Sequence, residues 1–331
     1  MKTPKVSVVV LNYNGLEYLK NCFDSLKQTN YPNFEVIMVD NRSTDQSVSY
    51  TKKFYPWVKI IDSGSNSGWA VGNNIGIKKA NGKYIVLLNN DTICEPDWLS
   101  KLIDIAESDK KIAVVGALEW PLRGEVSKVA QNKFPYKIEE VATASGAAMM
   151  VKREVFEKIG LFEEKYFIYW EDTEFNYRAI LTGYKVMINY NSVVHHVFGG
   201  YTGKRESERW IYEKVKNRLH LHLKIMNIFY LLYFFTSEIC KMLFHFLKLP
   251  YSIFNGNPNV LRAYFKAWTW FIKNFKFTMK ERVEFKKKFR QRRDIHLISM
   301  ILKTWRIKRV LFYYFYKISK KNKINQPQLK F

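Results

Sequence analysis

The sequence predicts an α/β fold with a mostly parallel sheet in its first two hundred residues, followed by a helical, strongly basic region. Three observations carry this reading. Short β-branched runs alternate with helical patterns from residue 6 to residue 107, and such alternation builds βαβ units with helices on both faces of a sheet. From residue 207 onward the strand pattern stops, and long aromatic, basic helical patterns replace it. The charge divides at the same place: residues 1–200 hold 24 Lys and Arg against 23 Asp and Glu, whereas residues 201–331 hold 30 against 7. With 331 residues, 47% of them hydrophobic, the chain can bury one large or two modest cores, which excludes a disordered protein. The expected division is 1–206 and 207–331.

Taken in order, strands are expected at "VSVVVL" (6–11), "EVIMV" (35–39), "VKII" (58–61) and "YIVLL" (84–88), with helices at 15–28, 43–54, 70–80 and 97–107. "IAVVGALEW" and "ATASGAAMMV" then read as strands, "KREVFEKIG" as a helix ending at Gly160, and "KVMINYNSVVHHV" as a further strand. The opening "MKTPKVSVVVLNYNG" carries two lysines but runs straight into a strand, without the apolar region and cleavage site of a signal peptide, so none is expected. Cys22, Cys94 and Cys240 lie far apart, which argues against a disulfide scaffold or a zinc site and suits a reducing compartment.

Polar clusters stand at the ends of the predicted strands, where ligands of open α/β sheets collect. In "VDNRSTD", Asp40 follows its strand directly and can accept from a pyrimidine N3–H or a ribose hydroxyl, while Ser43 opens the next helix. In "NSGWAVGNNIG", Gly68, Gly72 and Gly76 strip one helix face so that a backbone or a ligand can approach, and Asn74 is the polar group expected on the ligand. In "LLNNDT", Asp91 is a lone acid at the tip of a buried strand; a helix N-cap before "EPDW" is the competing reading. In "YWEDTEFNYR", Glu171 and Asp172 sit beside Tyr169 and Trp170, whose apolar surroundings raise a carboxyl pKa toward that of a general base. Glu174 and Arg178 are spaced to pair with each other and leave the catalytic set. The two histidines of "SVVHHVFGG" point to opposite faces of their strand, so one of His195 and His196 can face a metal.

In order and spacing, "VSVVVLNYNG", "VDNRSTD", "NSGWAVGNNIGI", "GKYIVLLNNDT", "GAAMMVKREVFEKIGLFEEKYFIYWEDTEFNYRAILTGYKV" and "SVVHHVFGGYTG" resemble the inverting glycosyltransferases of family 2 with the GT-A fold. The nearest likeness is to the rhamnosyltransferase-like branch, and it covers residues 5–205. The resemblance implies a nucleoside-diphosphate-sugar donor, with Leu11, Tyr13, Asp40, Asn74 and Asn90 around the nucleotide. "NND" then stands where the family has its DxD-type motif, so Asp91 would bind Mg²⁺ or Mn²⁺, with His195 or His196 supplying the ligand that the second acid would have been. Asp172 would be the catalytic base, with Glu171 beside it and Trp170 at the acceptor.

The basic end reads as membrane-associating. In "IFYLLYFFTSEICKMLFHFLKL" the residues Glu238, Lys241, His245 and Lys248 interrupt the apolar run on one helical stripe, which favours a helix lying in the interface over one that spans. In "VLRAYFKAWTWFIKNFKFTMK", Arg262, Lys266, Lys273 and Lys280 share a face, and Trp268, Trp270, Phe271 and Phe275 supply rings expected at headgroup depth. Anionic lipid attracts such clusters by about 1 kcal/mol per charge near the surface. The expectation is a peripheral or monotopic enzyme on the cytoplasmic face of a membrane, acting on a lipid-linked glycan and binding no nucleic acid. The alternatives are a non-catalytic sugar-nucleotide-binding protein and a basic nucleic-acid-binding protein.

Overall fold

The computed structural model describes residues 3–121, 137–197, 207–247 and 259–321. Four parallel strands open the chain: β1 (Val6–Asn12), β2 (Phe34–Asp40), β3 (Lys59–Asp62) and β4 (Tyr84–Asn89). Between them lie α1 (Leu16–Lys27), α2 (Ser47–Phe54) and α3 (Gly68–Lys79). There follow β5 (Thr92–Cys94), α4 (Trp98–Ser108), β6 (Ile112–Pro121), β7 (Ile138–Glu140), β8 (Ala148–Lys152), α5 (Arg153–Ile159), α6 (Glu171–Leu181) and β9 (Lys185–His196). One sheet runs β3-β2-β1-β4-β8-β6-β9-β5, with β7 also on β9. It is parallel from β3 to β4, β8 runs antiparallel to both β4 and β6, and β6 and β9 are parallel to each other.

The apolar runs of β1 and β4 are buried up to Val10 and Leu88, as strands covered on both faces must be, and Leu11 is half-buried at the strand end. Gly72 and Gly76 of α3 show why that helix is stripped: a Cβ at either would collide with Leu11 or Val9 of β1. The glycine face therefore seats a helix on the sheet and takes no ligand.

Two predicted elements start late, for one reason. The helix expected from Ser43 begins at Ser47, because the Ser43 N–H and hydroxyl are both donated to Asp40, at 3.0 and 2.6 Å. The strand expected from Ala142 begins at Ala148, because the Ala142 N–H goes to the Thr304 hydroxyl and the Gly146 N–H to Asp172. In both places side-chain bonds fix a turn just before the element starts, and at Ala142 they also take a donor that a ladder would use.

The helical region comprises α7 (Glu208–Ile225), α8 (Ile228–Leu247), α9 (Asn259–Lys273), α10 (Phe275–Phe289) and α11 (Asp294–Lys321). The expected boundary at 206/207 does not separate two cores. Leu219, Leu221 and Leu223 of α7 belong to the same buried cluster as Val9 of β1 and Phe175 of α6. Lys224 of α7 reaches Glu174 of α6 at 3.2 Å, where the expected Glu174–Arg178 pair forms at 2.8 Å. No helix among the described residues is long and apolar enough to cross a membrane. The rings expected at headgroup depth are placed differently: in α9 Phe271 is buried and packs on Phe235 and Trp268 and Trp270 are half-buried, while Phe275, the first residue of α10, is exposed. Lys248 lies outside the described residues.

Candidate active site

The parallel strands β1, β2 and β4 release their last residues at one edge of the sheet, and Asn12 ties these ends together. Its amide N–H donates to Asp40 at 3.3 Å and to the Ser43 hydroxyl at 3.1 Å, and its carbonyl oxygen accepts from Asn90 at 2.7 Å. Asp40 is buried, and its carboxylate holds the Arg42–Thr44 turn. Leu11 and Tyr13 are half-buried at the same edge. Asn74 is corrected: its amide donates to the Phe162 carbonyl at 2.9 Å and accepts from the Phe162 N–H at 3.1 Å, so a 1%-exposed side chain clamps the loop after α5 rather than a ligand.

Asp91 lies in the reversal between β4 and β5. It is no helix cap, since α4 begins only at Trp98. Antiparallel pairing of β5 with β9 sets Thr92 opposite His196, which brings Asp91 Oδ1 to 3.1 Å from His196 Nε2. On the other side, β6 presents Glu119, whose Oε2 stands 3.2 Å from His196 Nδ1. The strand's alternation sends His195 to the opposite face, where it pairs with Glu95 at 2.8 Å, so His196 is the one that meets Asp91. Burial acts to lower the His196 pKa, but the hydrogen bonds and charges of Asp91 and Glu119 outweigh it and raise it to about 9. Burial likewise acts to raise Glu119, and His196 holds its carboxyl below the ordinary range.

This row of groups fits a divalent cation on one side. Two ligands at right angles, with bonds of about 2.1 Å, stand about 3 Å apart, and the Asp91–His196 separation is 3.1 Å. Glu119 on the far ring nitrogen is the carboxylate that orients a metal-binding imidazole. Among the described residues no three metal-ligating side chains converge on one point, so remaining positions on a cation would fall to phosphate oxygens and water.

The second half of the site is the N-terminus of α6. Tyr169 and Trp170 precede it with φ of 69° and 75°, a left-handed conformation that costs on the order of 1–3 kcal/mol at each non-glycine residue. Asn217 of α7 sustains it: its amide donates to the carbonyls of Ile168 and Tyr169, both at 3.0 Å. Trp170 is half-buried, with its ring edge-on to His222 at 5.6 Å. Asp172 Oδ2 accepts the Gly146 N–H at 3.0 Å, and Oδ1 accepts from Thr173. Burial raises the Asp172 pKa against these hydrogen bonds and the charge of Lys308. Burial, then the charge of Asp172, pushes Glu171 well above the carboxylate range, and Glu171 Oε2 is buried without a hydrogen-bond partner.

A short chain of contacts joins the halves. Ser145 lies near enough to help lower the Glu119 pKa, and its neighbour Gly146 donates its N–H to Asp172 at 3.0 Å. A Cβ on Gly146 would strike the Trp69 indole, whose Nε1 donates to Asn89 at 3.4 Å, and Asn89 touches His196. Lys308 of α11 acts on both Glu119 and Asp172. Glu119, Gly146, Asn217 and Lys308 escaped the sequence reading. Gly146 stood in a run read as strand, and the other three reach the site from elements with no motif of their own.

Residues 7–160 match the family model described as Glycosyl transferase family 2. An uncharacterized glycosyltransferase of Haemophilus influenzae is 25% identical over 253 residues, covering 68% of this chain and 78% of the relative. An N-acetylglucosaminyl-diphospho-decaprenol L-rhamnosyltransferase of Mycobacterium tuberculosis is 22% identical over 235 residues, 59% of this chain and 76% of that protein. A mannosyltransferase of Pyrobaculum calidifontis, solved with GDP-Man and Mn²⁺, superposes with a TM-score of 0.54 over 91% of this chain and 87% of its own, at 17% identity. The chain spans about half the length, 49%, of GalNAc-T7, which was solved with UDP, GalNAc and Mn²⁺ and superposes with a TM-score of 0.55 at 18% identity. At such identities the likeness speaks for the fold, which is GT-A.

Proposed function

Residues 7–160 form a glycosyl transferase family 2 domain, and from that premise we propose that the protein is an inverting, metal-dependent hexosyltransferase. It moves a sugar, with rhamnose the first candidate, from a nucleoside diphosphate to a hydroxyl of a lipid-linked glycan at the cytoplasmic face of a membrane, in cell-surface polysaccharide assembly. The observation that carries the reading is a metal-compatible Asp91–His196 pair together with a half-buried Asp172 that the Gly146 N–H holds at the N-terminus of α6.

Asp91 and His196 would hold Mg²⁺ or Mn²⁺, and a bound ion there supplies charge to a departing diphosphate. Asn90 and Asp40 stand at the strand ends beside it, for the nucleoside. Asp172 takes the acceptor hydroxyl proton. The Gly146 and Thr173 N–H groups fix its orientation, and its burial makes it more basic than a water-exposed aspartate. The acceptor oxygen bonds to the anomeric carbon from one face while the bond to the nucleoside diphosphate breaks on the other, so one displacement gives an inverted anomeric centre. Burial and the charge of Asp172 push the Glu171 pKa well up, and no backbone N–H orients its buried Oε2, so Asp172 is the better placed of the two.

The test is release of nucleoside diphosphate from a panel of sugar donors, titrated with Mn²⁺. Asp91→Ala is expected to lose turnover and Mn²⁺ dependence while keeping its melting temperature in EDTA within a few degrees. His196→Ala should follow it. Donor binding with no diphosphate released by the wild type under any condition would instead mark a non-catalytic sugar-nucleotide-binding protein.

A further inference from the structure

Amphipathic helices on protein surfaces turn polar residues outward. α8 is built the other way round. Its carboxylate, Glu238, is fully buried and paired with Arg218 of α7 and with Lys241. Phe234 also faces inward, stacked on His222 with ring centroids 4.0 Å apart. The outward stripe is mostly apolar, with Thr236 and Cys240 among its exposed members: Phe229 is 80% exposed, Leu232 63%, Tyr233 73%, Ile239 45% and Leu243 51%. These positions recur at helical spacing over fourteen residues, about 21 Å of helix. The exposure is local to this half of the molecule. Among the described residues, only Phe54, Trp57 and Ile138 are exposed large apolar side chains before residue 228.

We propose that α8 is the element that enters an anionic bilayer: it lies along the headgroup layer with Phe229, Leu232, Tyr233, Ile239 and Leu243 among the acyl chains, fastened to α7 by Glu238–Arg218. This rests on the membrane reading above and assigns it to one helix. A contiguous apolar stripe of this kind marks an interaction surface rather than a water-facing one. Two observations choose lipid as its occupant. The chain from residue 201 onward holds 30 basic against 7 acidic residues, which attracts an anionic surface and repels a second copy of itself. Exposed cations also flank exposed apolar groups on the neighbouring helix, with Arg262 and Lys266 beside Phe265, and Lys273 beside Ile272. The absence of a spanning helix among the described residues fits an element that lies in the interface. The connection to chemistry is short, because the α7 that holds Glu238 also holds the backbone ahead of Asp172 through Asn217.

The protein carries its own probe. Cys240 is exposed on α8, whereas Cys22 and Cys94 are buried, so an environment-sensitive fluorophore on the full-length protein reports from this helix. With vesicles of phosphatidylcholine containing one quarter phosphatidylglycerol, the emission should shift to the blue, and the protein should float with the vesicles. Phe229→Asp with Leu232→Asp should weaken vesicle binding at least tenfold, whereas the exposed pair Phe54→Asp with Trp57→Asp should leave it unchanged. If the wild type floats but the α8 variant floats equally well, or the probe keeps its aqueous spectrum, α8 is not the inserted element and the broader membrane reading survives. If the wild type does not float at low salt, the membrane reading itself fails. Lipid-free dimers that the α8 variant dissolves would show that a second copy covers the stripe, and would overturn the inference.

Discussion

Asp172 and Glu171 are neighbours with opposite environments. Asp172 accepts two backbone N–H groups, so its charged form is supported even as burial raises its pKa. Glu171 has a buried oxygen with no partner, and burial pushes its pKa well above the carboxylate range. Asp172→Asn is therefore expected to keep donor binding and lose transfer by a factor of at least a hundred, consistent with the usual contribution of a general base. Glu171→Gln, at a side chain that no backbone N–H orients, should do much less. Stopped turnover of a bound donor separates the two. A raised base pKa also places the acid limb of kcat/KM above the range of an ordinary aspartate, because the enzyme works only once Asp172 has lost its proton. The acidic pair and its aromatic neighbours were legible in "YWEDTEF" because they are contiguous in the chain. Lys308 was not, because it lies 136 positions beyond Asp172 and only the packing of α11 brings it back.

At the scale of elements, α7 is the part that the sequence most undersold. It read as the start of a separate basic region, yet its Asn217 holds Ile168 and Tyr169 in the turn that aims Asp172. Asn217→Ala would leave two buried carbonyls without a donor, at a cost of about 1–3 kcal/mol of stability. It should also lower kcat more than donor affinity, since it disturbs the base and not the nucleotide pocket. Thermal melts and donor titrations check the two parts. A loss of stability with kcat unchanged would make Asn217 structural only. Predicted element types were correct wherever hydrophobic periodicity decided them. Starting points failed at Ser43 and Ala142, where a side chain took the backbone donor, because such a partner can lie 162 residues away, as for Ala142 and Thr304.

Across the whole molecule, a continuous core joins the sheet to the helical end, with Leu219, Leu221 and Leu223 packed in the cluster that holds Val9. Cutting the chain after residue 206 would expose that face and strand Glu174 and Arg178 beside the gap left by Lys224. The shortened protein is expected to melt without a cooperative transition or to aggregate, as read by circular dichroism. A cooperative melt with donor turnover retained would show that the first 206 residues fold alone. By itself, the sequence determined the α/β class, the strand-end placement of Asp40 and Asp91, the acidic pair and the charge division between the two halves, because each is written in contiguous residues or a short period. The tertiary structure alone decided that His196 rather than His195 meets Asp91, that Asn74 clamps a loop and that Glu119 backs the histidine. It also decided that α8 buries Glu238 and Phe234 while exposing Phe229, Leu232 and Tyr233. These choices depend on which strand pairs with which and on which face of a helix finds a partner, and those are properties of packing between distant segments rather than of any one stretch of chain.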